Sequence, residues 1–201
     1  IAYITTLARP GPLHSGGTTE FIKRHTGEEE VTHLHPMTKK WTEDSHGVII
    51  FQEQVMQIAR SIGKLSWEDT SSLRKAMSKS LGEEFFNRYW ELFKEGAKDQ
   101  GIEEKEAKNI WEHMCTFGSW AFNKSHAISY AMISYWCAYL KAHHSKEFAV
   151  ACLRNAKDDD QIIKLLRELV KEGSEYIPFD KDKSQLTWSV QDGKIVGGLL
   201  G

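Results

Sequence analysis

Asn123-Lys124-Ser125-His126-Ala127-Ile128-Ser129-Tyr130-Ala131-Met132-Ile133-Ser134-Tyr135-Trp136-Cys137-Ala138-Tyr139-Leu140-Lys141-Ala142-His143-His144 is a run of 22 residues that points to a helical protein. It contains neither proline nor glycine, and its large apolar residues recur at helical rather than alternating spacing. The sequence predicts a helix from Ser125 to about His144, the most apolar of the chain. Ile128, Met132, Tyr135, Trp136, Tyr139 and Leu140 spread around its circumference, so neighbours are expected on more than one side.

Reading outward from it, helices accumulate on both sides. Lys146 to Asn155 and Asp160 to Lys171 follow it; Glu103 to Phe117 precedes it, with Ile110, Trp111 and Met114 on the apolar face. Another is predicted from about Glu83 to Gln100, stopped by Gly101, and Ser66-Trp67-Glu68-Asp69 is a capping box opening a helix through about Lys79. Val48, Phe51, Val55, Ile58 and Ala59 mark one more, ending near Gly63. The first 47 residues, punctuated by Arg9-Pro10-Gly11-Pro12, Gly16-Gly17, Gly27, Pro36 and Gly47, read as irregular. After Gly173, Leu186-Thr187-Trp188-Ser189-Val190, Gln191-Asp192-Gly193 and Lys194-Ile195-Val196 are a hairpin signal. The fold class is therefore mainly α: an irregular segment 1–47, a helical body 48–172, and a short β-hairpin-containing segment 173–201 that starts a second unit.

Composition narrows the class further. The 201 residues are 40% hydrophobic and 27% charged, enough for a core and a polar surface. Seven Trp, nine Phe and six Tyr exclude a disordered chain. No apolar run approaches the roughly 18 residues that cross a bilayer, so no membrane partner is expected. Cys115, Cys137 and Cys152 are odd in number and widely spaced, which fits buried thiols in a reducing, cytoplasmic setting. A net charge of -2 means that any nucleic-acid surface must be a local patch. Ile1 and the Gly197-Gly198-Leu199-Leu200-Gly201 run suggest that both ends are cut from something longer.

Two clusters carry possible chemistry. In Phe122-Asn123-Lys124-Ser125-His126-Ala127, Asn123 or Ser125 can be the N-cap, leaving amides at the helix start pointing outward beside Lys124 and His126. His126, Ser129 and Tyr130 share one face. The cluster fits a pocket for a base carrying a triphosphate, and equally a capped helix whose His and Tyr merely pack; spacing alone favours the plainer reading. In Leu73-Arg74-Lys75-Ala76-Met77-Ser78-Lys79, Leu73, Ala76 and Met77 fit a buried face while Lys75 and Lys79 align on the other. Phosphate contact is one explanation and a solvated cationic face the commoner one. In Phe51-Gln52-Glu53-Gln54-Val55-Met56, Gln52 or Glu53 is expected to organise a neighbouring cation. His33-x-His35, His143-His144 and Asp158-Asp159-Asp160 are decoys: the first lacks a usual ligand set, adjacent helical histidines diverge, and acids at a helix start cap it.

Taken together, five blocks resemble the bacterial-type (C-family) DNA polymerase III alpha-subunit family. Leu7-Ala8-Arg9-Pro10-Gly11-Pro12-Leu13 is similar to its "ALxRPGPL" segment, and Gly47 to Met56 to "GVxxYQEQVM", with Phe51 for the usual Tyr. Leu73 to Lys79 is similar to "LRRAMxKK", with Ser80 in place of a second Lys. Phe122 to Tyr130 resembles "FNKSHAxxYA", and Tyr139 to His143 with Phe148 resembles "AYLKAHYP" and "EFxAA". The resemblance implies a fingers region, preceded by a palm-to-fingers connection and followed by the start of a helix-hairpin-helix region. It reverses the preference for the plainer readings: Arg74, Lys75, Lys79, Asn123, Lys124, Ser125, His126 and Tyr130 become nucleotide-binding, and Arg9 and Lys141 DNA-binding. It also implies deoxynucleoside triphosphates, primer-template DNA, other polymerase domains and replisome subunits as partners. The implied Mg2+ belongs to palm aspartates outside this chain, none being bound by it, so the chain alone is expected to be inactive. The rival expectation is a non-catalytic helical module that binds protein or nucleic acid.

Overall fold

The structure is a computed structural model and describes residues 1–79, 85, 87–118 and 120–200; for residues 77–79 only the backbone is described. The start expected for the Glu83 helix, the Lys79 side chain, Ser80 and Gly201 lie outside the described residues. The chain divides into two compact units, Ile1–Ala131 and Met132–Gly201. Its secondary structure is mainly helical, as the sequence predicts, with one small sheet near the C-terminus.

The first 47 residues depart from expectation, because they hold four short helices: α1 (Ala2–Leu7), α2 (Pro10–His14), α3 (Gly17–Thr26) and α4 (Pro36–Thr42), then a 3-10 turn at Glu43–Ser45. The punctuating residues bound these helices instead of breaking them. Pro10 and Pro36 each sit at the first helical position, where the missing N–H would have no partner anyway. Arg9 and His35 before them are extended, as the residue preceding a proline must be. Gly27 closes α3 in the left-handed conformation.

Val48 to Phe51 is likewise not helical. Burial on both faces draws it out as an extended segment. Val48, Ile50 and Phe51 join a cluster with Leu7, Phe21 and Ala127, while Ile49 joins the main core. A parallel bridge pairs Phe51 with Phe122. Helix α5 (Gln52–Ser61) starts only afterwards. Gln54 fixes this junction: its Oε1 accepts the Ile50 and Phe51 N–H groups at 2.8 and 2.9 Å, and its Nε2 donates to Trp41 O and Ser45 Oγ. All four hydrogen-bonding positions of a buried amide side chain are thereby used.

Helices α6 (Trp67–Lys79), α7 (Trp90–Lys98) and α8 (Glu104–Gly118) follow in the first unit. Ser66 caps α6, its Oγ accepting the Asp69 N–H at 3.0 Å and donating to the Asp69 carboxylate. Val55, Ile58, Ile62, Leu73, Phe93, Ile110 and Met114 are buried in one core. Each such side chain contributes about 2 kcal/mol through apolar surface removed from water. Gly96 of α7 lies directly on Gly63, with room for no side chain: a Cβ there would stand 2.0 Å from the Gly63 carbonyl oxygen.

Helix α9 (Lys124–His143) is the predicted long helix, and the division between units falls inside it. Its expected neighbours are not found. Ile128, Met132, Tyr135, Trp136, Tyr139 and Leu140 are all exposed, and Ala127 is its one buried residue. A helix apolar on every side needs partners on every side, and the described residues do not supply them. Cys137 on this helix is also exposed, correcting the expectation of buried thiols; Cys115 and Cys152 are half-buried.

In the second unit α10 (Ser145–Arg154) and α11 (Asp159–Lys171) cover a sheet of β1 (Tyr176–Ile177), β2 (Ser189–Gln191) and β3 (Lys194–Val196). The strand order is β1-β3-β2, with β1 parallel and β2 antiparallel to β3. Asp192 and Gly193 both have positive φ, 50° and 74°, the twist that a two-residue hairpin needs. Asp158 caps α11 by accepting the Gln161 N–H at 2.8 Å, the role expected of that acidic run. Helices α10 and α11 pack with the sheet around Leu153, Leu169 and Trp188, all within the unit Met132–Gly201.

Candidate functional site

The start of α9 is set beside the start of α5 by backbone hydrogen bonds. Gln52 N–H donates to Phe122 O at 2.9 Å, and Phe122 N–H to Ile50 O at 3.0 Å. Between Asn123 and Ser125, the structure selects Asn123 as the cap. Its Oδ1 accepts the His126 N–H at 2.9 Å and the Ser125 hydroxyl at 2.7 Å. The Lys124 N–H is taken by Glu53, through both carboxylate oxygens at 2.9 and 3.1 Å. Glu53 thus organises a backbone amide rather than the cation expected from sequence. The amides of Lys124 and His126 are consequently taken by the protein itself, and the side chains of this exposed helix start stand around them.

Those side chains converge. The His126 and Tyr130 rings lie 4.4 Å apart, and Phe122 lies 5.5 Å from His126 on the other side. The Arg9 guanidinium stands over Phe122 at 4.8 Å. The Lys124 ammonium lies 5.7 Å from the Phe51 ring, and among the described residues it has no carboxylate within ion-pair distance. Ser129, expected on the same face, turns its hydroxyl back to Ser125 O at 3.0 Å. The result is a short ladder of rings, Phe122, His126 and Tyr130, with the Arg9 guanidinium over Phe122, the Lys124 ammonium near Phe51, and Tyr130 52% exposed. Such a surface can stack a planar base and neutralise phosphate charge.

The other expected site residues are placed differently. Arg74 and Lys75 lie on α6, which packs on α5; Arg74 is half-buried and engaged, and Lys75 is exposed. Lys141 belongs to the second unit, where its ammonium contacts Glu172 at 2.6 Å. That hydrogen bond, and the charge of Glu172, hold Lys141 above the usual lysine range. An exposed ion pair of this kind is weakly held, so a phosphate can compete for the lysine.

His33 and His35 are committed within the fold: His33 Nδ1 is 2.8 Å from Thr42 Oγ1, and His35 Nδ1 accepts the Met37 N–H. Among the described residues no three His, Cys, Asp or Glu side chains are grouped to hold a metal ion. Sequence reasoning also missed Arg24. It is paired with Glu20 at 2.7 Å and Glu29 at 3.1 Å, and donates to the carbonyls of Thr32 and His46. No motif marks it, because its partners come from three separate segments.

The comparisons with known proteins agree with one another. The family described as bacterial DNA polymerase III alpha subunit finger domain matches residues 1–101. The DNA polymerase III subunit alpha of Aquifex aeolicus is 34% identical over 95% of this chain and 16% of its own length. That of Halalkalibacterium halodurans is 35% identical over 96% of this chain and 17% of its own length. That of Neisseria meningitidis serogroup A is 37% identical over 92% of this chain and 16% of its own length. The chain spans about a sixth of the length of these relatives.

Proposed function

The chain belongs to the finger domain family of bacterial DNA polymerase III alpha subunits, and on that premise we propose that it binds incoming deoxynucleoside triphosphate and primer-template DNA during template-directed DNA synthesis. The observation that carries the reading is an ammonium with no ion-pair partner among the described residues, that of Lys124, at the helix start that also holds a ladder of rings. Lys124 offsets triphosphate charge, His126 and Tyr130 hold the base or the position of the nucleotide, and the Ser125 hydroxyl and Asn123 shape the turn. Arg74, Lys75 and Lys79 supply further phosphate contacts from α6, and Arg9 and Lys141 meet the DNA backbone.

Phosphoryl transfer requires metal-held carboxylates. The described residues do not fit that role, and we assign Mg2+ and the catalytic aspartates to other parts of the polymerase. On this reading the 201 residues alone bind without polymerising, and the other polymerase domains and replisome subunits are the partners. Replication places the protein in the cytoplasm; among the described residues no helix is long and apolar enough to cross a membrane.

The deciding experiment is Lys124→Glu in the intact polymerase. A raised KM for nucleotide in a normally folded protein supports the assignment, and an unaltered KM removes it. The second reading, a protein-docking module, is favoured by the exposed Tyr135, Trp136 and Tyr139 of α9. It predicts DNA affinity indifferent to salt, where phosphate contact predicts a steep decline.

A further inference from the structure

We infer that Glu53 is a positioning residue for nucleotide binding: its carboxylate, spanning from α5 to the first amide of α9, sets the direction in which Lys124, Ser125 and His126 leave the helix start. The inference rests on the nucleotide-binding reading above.

Three observations carry it. Glu53 lies in the first turn of α5, half-buried, and both its oxygens are within 3.1 Å of Lys124 N. The two helix starts are already in register through the Gln52–Phe122 and Phe122–Ile50 hydrogen bonds, so the carboxylate completes a fixed frame. Asn123 satisfies the His126 amide from the other side. With the Lys124 and His126 amides taken by the protein itself, the first turn of α9 is held from two sides. The orientation of the side chains it carries then depends on the cap. A carboxylate beside a polyanion site also carries a repulsive charge. It is tolerated because a charged acceptor on a helix-start amide is a strong, directional bond aligned with the helix dipole.

Loss of the carboxylate lets the first turn of α9 fray and costs nucleotide affinity without touching the reacting atoms. In the intact polymerase, Glu53→Ala is expected to raise the KM for deoxynucleoside triphosphate roughly tenfold, the scale of one charged hydrogen bond, with kcat changed much less. Glu53→Gln, which keeps an acceptor oxygen, is expected to recover most of that loss. Amide hydrogen exchange across residues 122–128 should accelerate in Glu53→Ala and stay slow in Glu53→Gln.

Lys124→Ala is measured alongside to separate the two claims. If it raises the KM while Glu53→Ala leaves both the KM and exchange unchanged, the positioning role is overturned and the nucleotide site stands. An equal fall in kcat for Glu53→Ala and Glu53→Gln with the KM unmoved likewise overturns it. If Lys124→Ala leaves the KM unmoved, the nucleotide site itself is removed, and the inference with it. Should Glu53→Ala fail to fold, Glu53→Asp decides, because it keeps the charge and shortens the reach by one methylene. A raised KM with faster exchange supports the inference, and wild-type behaviour ends it.

Discussion

Both carboxylate oxygens of Glu53 meet the backbone nitrogen of Lys124, at 2.9 and 3.1 Å, across 71 positions of sequence. The first amide of a helix start that looks open to an anion in the sequence is taken by the protein's own acid. The cationic and aromatic side chains that flank it stand on a turn held by that contact.

Gln54 is the most heavily committed side chain near this frame. Replacing it by Leu leaves the Ile50 and Phe51 N–H groups buried without their acceptor. The expected loss is about 2–6 kcal/mol, from two desolvated donors at about 1–3 kcal/mol each. Chemical denaturation of the variant measures it; a loss under about 1 kcal/mol would mean that water or a shifted backbone replaces the amide.

Gly96→Ala tests the close crossing at Gly63. Its Cβ would meet a backbone carbonyl at 2.0 Å, which no rotamer change relieves. Overpacking of this kind is expected to cost about 2–3 kcal/mol. A melting temperature equal to that of the parent would show that α7 moves away freely.

His33 gives the first unit a pH dependence of definite sign. Burial, and then repulsion by Lys39, lower its pKa from the ordinary 6.5. Above about pH 6.5 the ring is neutral whether folded or unfolded, and it contributes nothing. As pH falls below that value the unfolded chain takes up the proton first, so stability declines until the folded ring also titrates. His33→Gln should flatten this part of a stability–pH profile measured by denaturation between pH 7 and pH 5. An unchanged slope would assign the acid loss to other groups.

Lys75 is exposed on α6 and tests the phosphate contacts proposed there. In the intact polymerase, Lys75→Ala is expected to weaken DNA binding about equally across sequences. It should also reduce the slope of log affinity against log salt by about one. Equilibrium binding at several salt concentrations reads both, and an unaltered slope would leave Lys75 as a solvated surface charge.

Features built from residues within a turn of one another were legible in the chain. Ser66 and Asp158 cap α6 and α11, and Asp192-Gly193 closes the hairpin. In each case the partner is at most four residues away, so the spacing is visible in the chain. The clustering of Lys124, His126 and Tyr130 was legible for the same reason. The remaining features come from packing between distant segments. Val48 to Phe51 carries a helical pattern yet is extended, because two apolar clusters and the Phe122 backbone claim its opposite faces. Two-residue β1 has too little length for any periodicity, and it exists through its pairing with β3. Glu53 on Lys124 and Gln54 on Trp41 and Ser45 join segments far apart in sequence. A polar side chain's partner over such distances is set by which backbones the packed core brings together, and no local pattern encodes that.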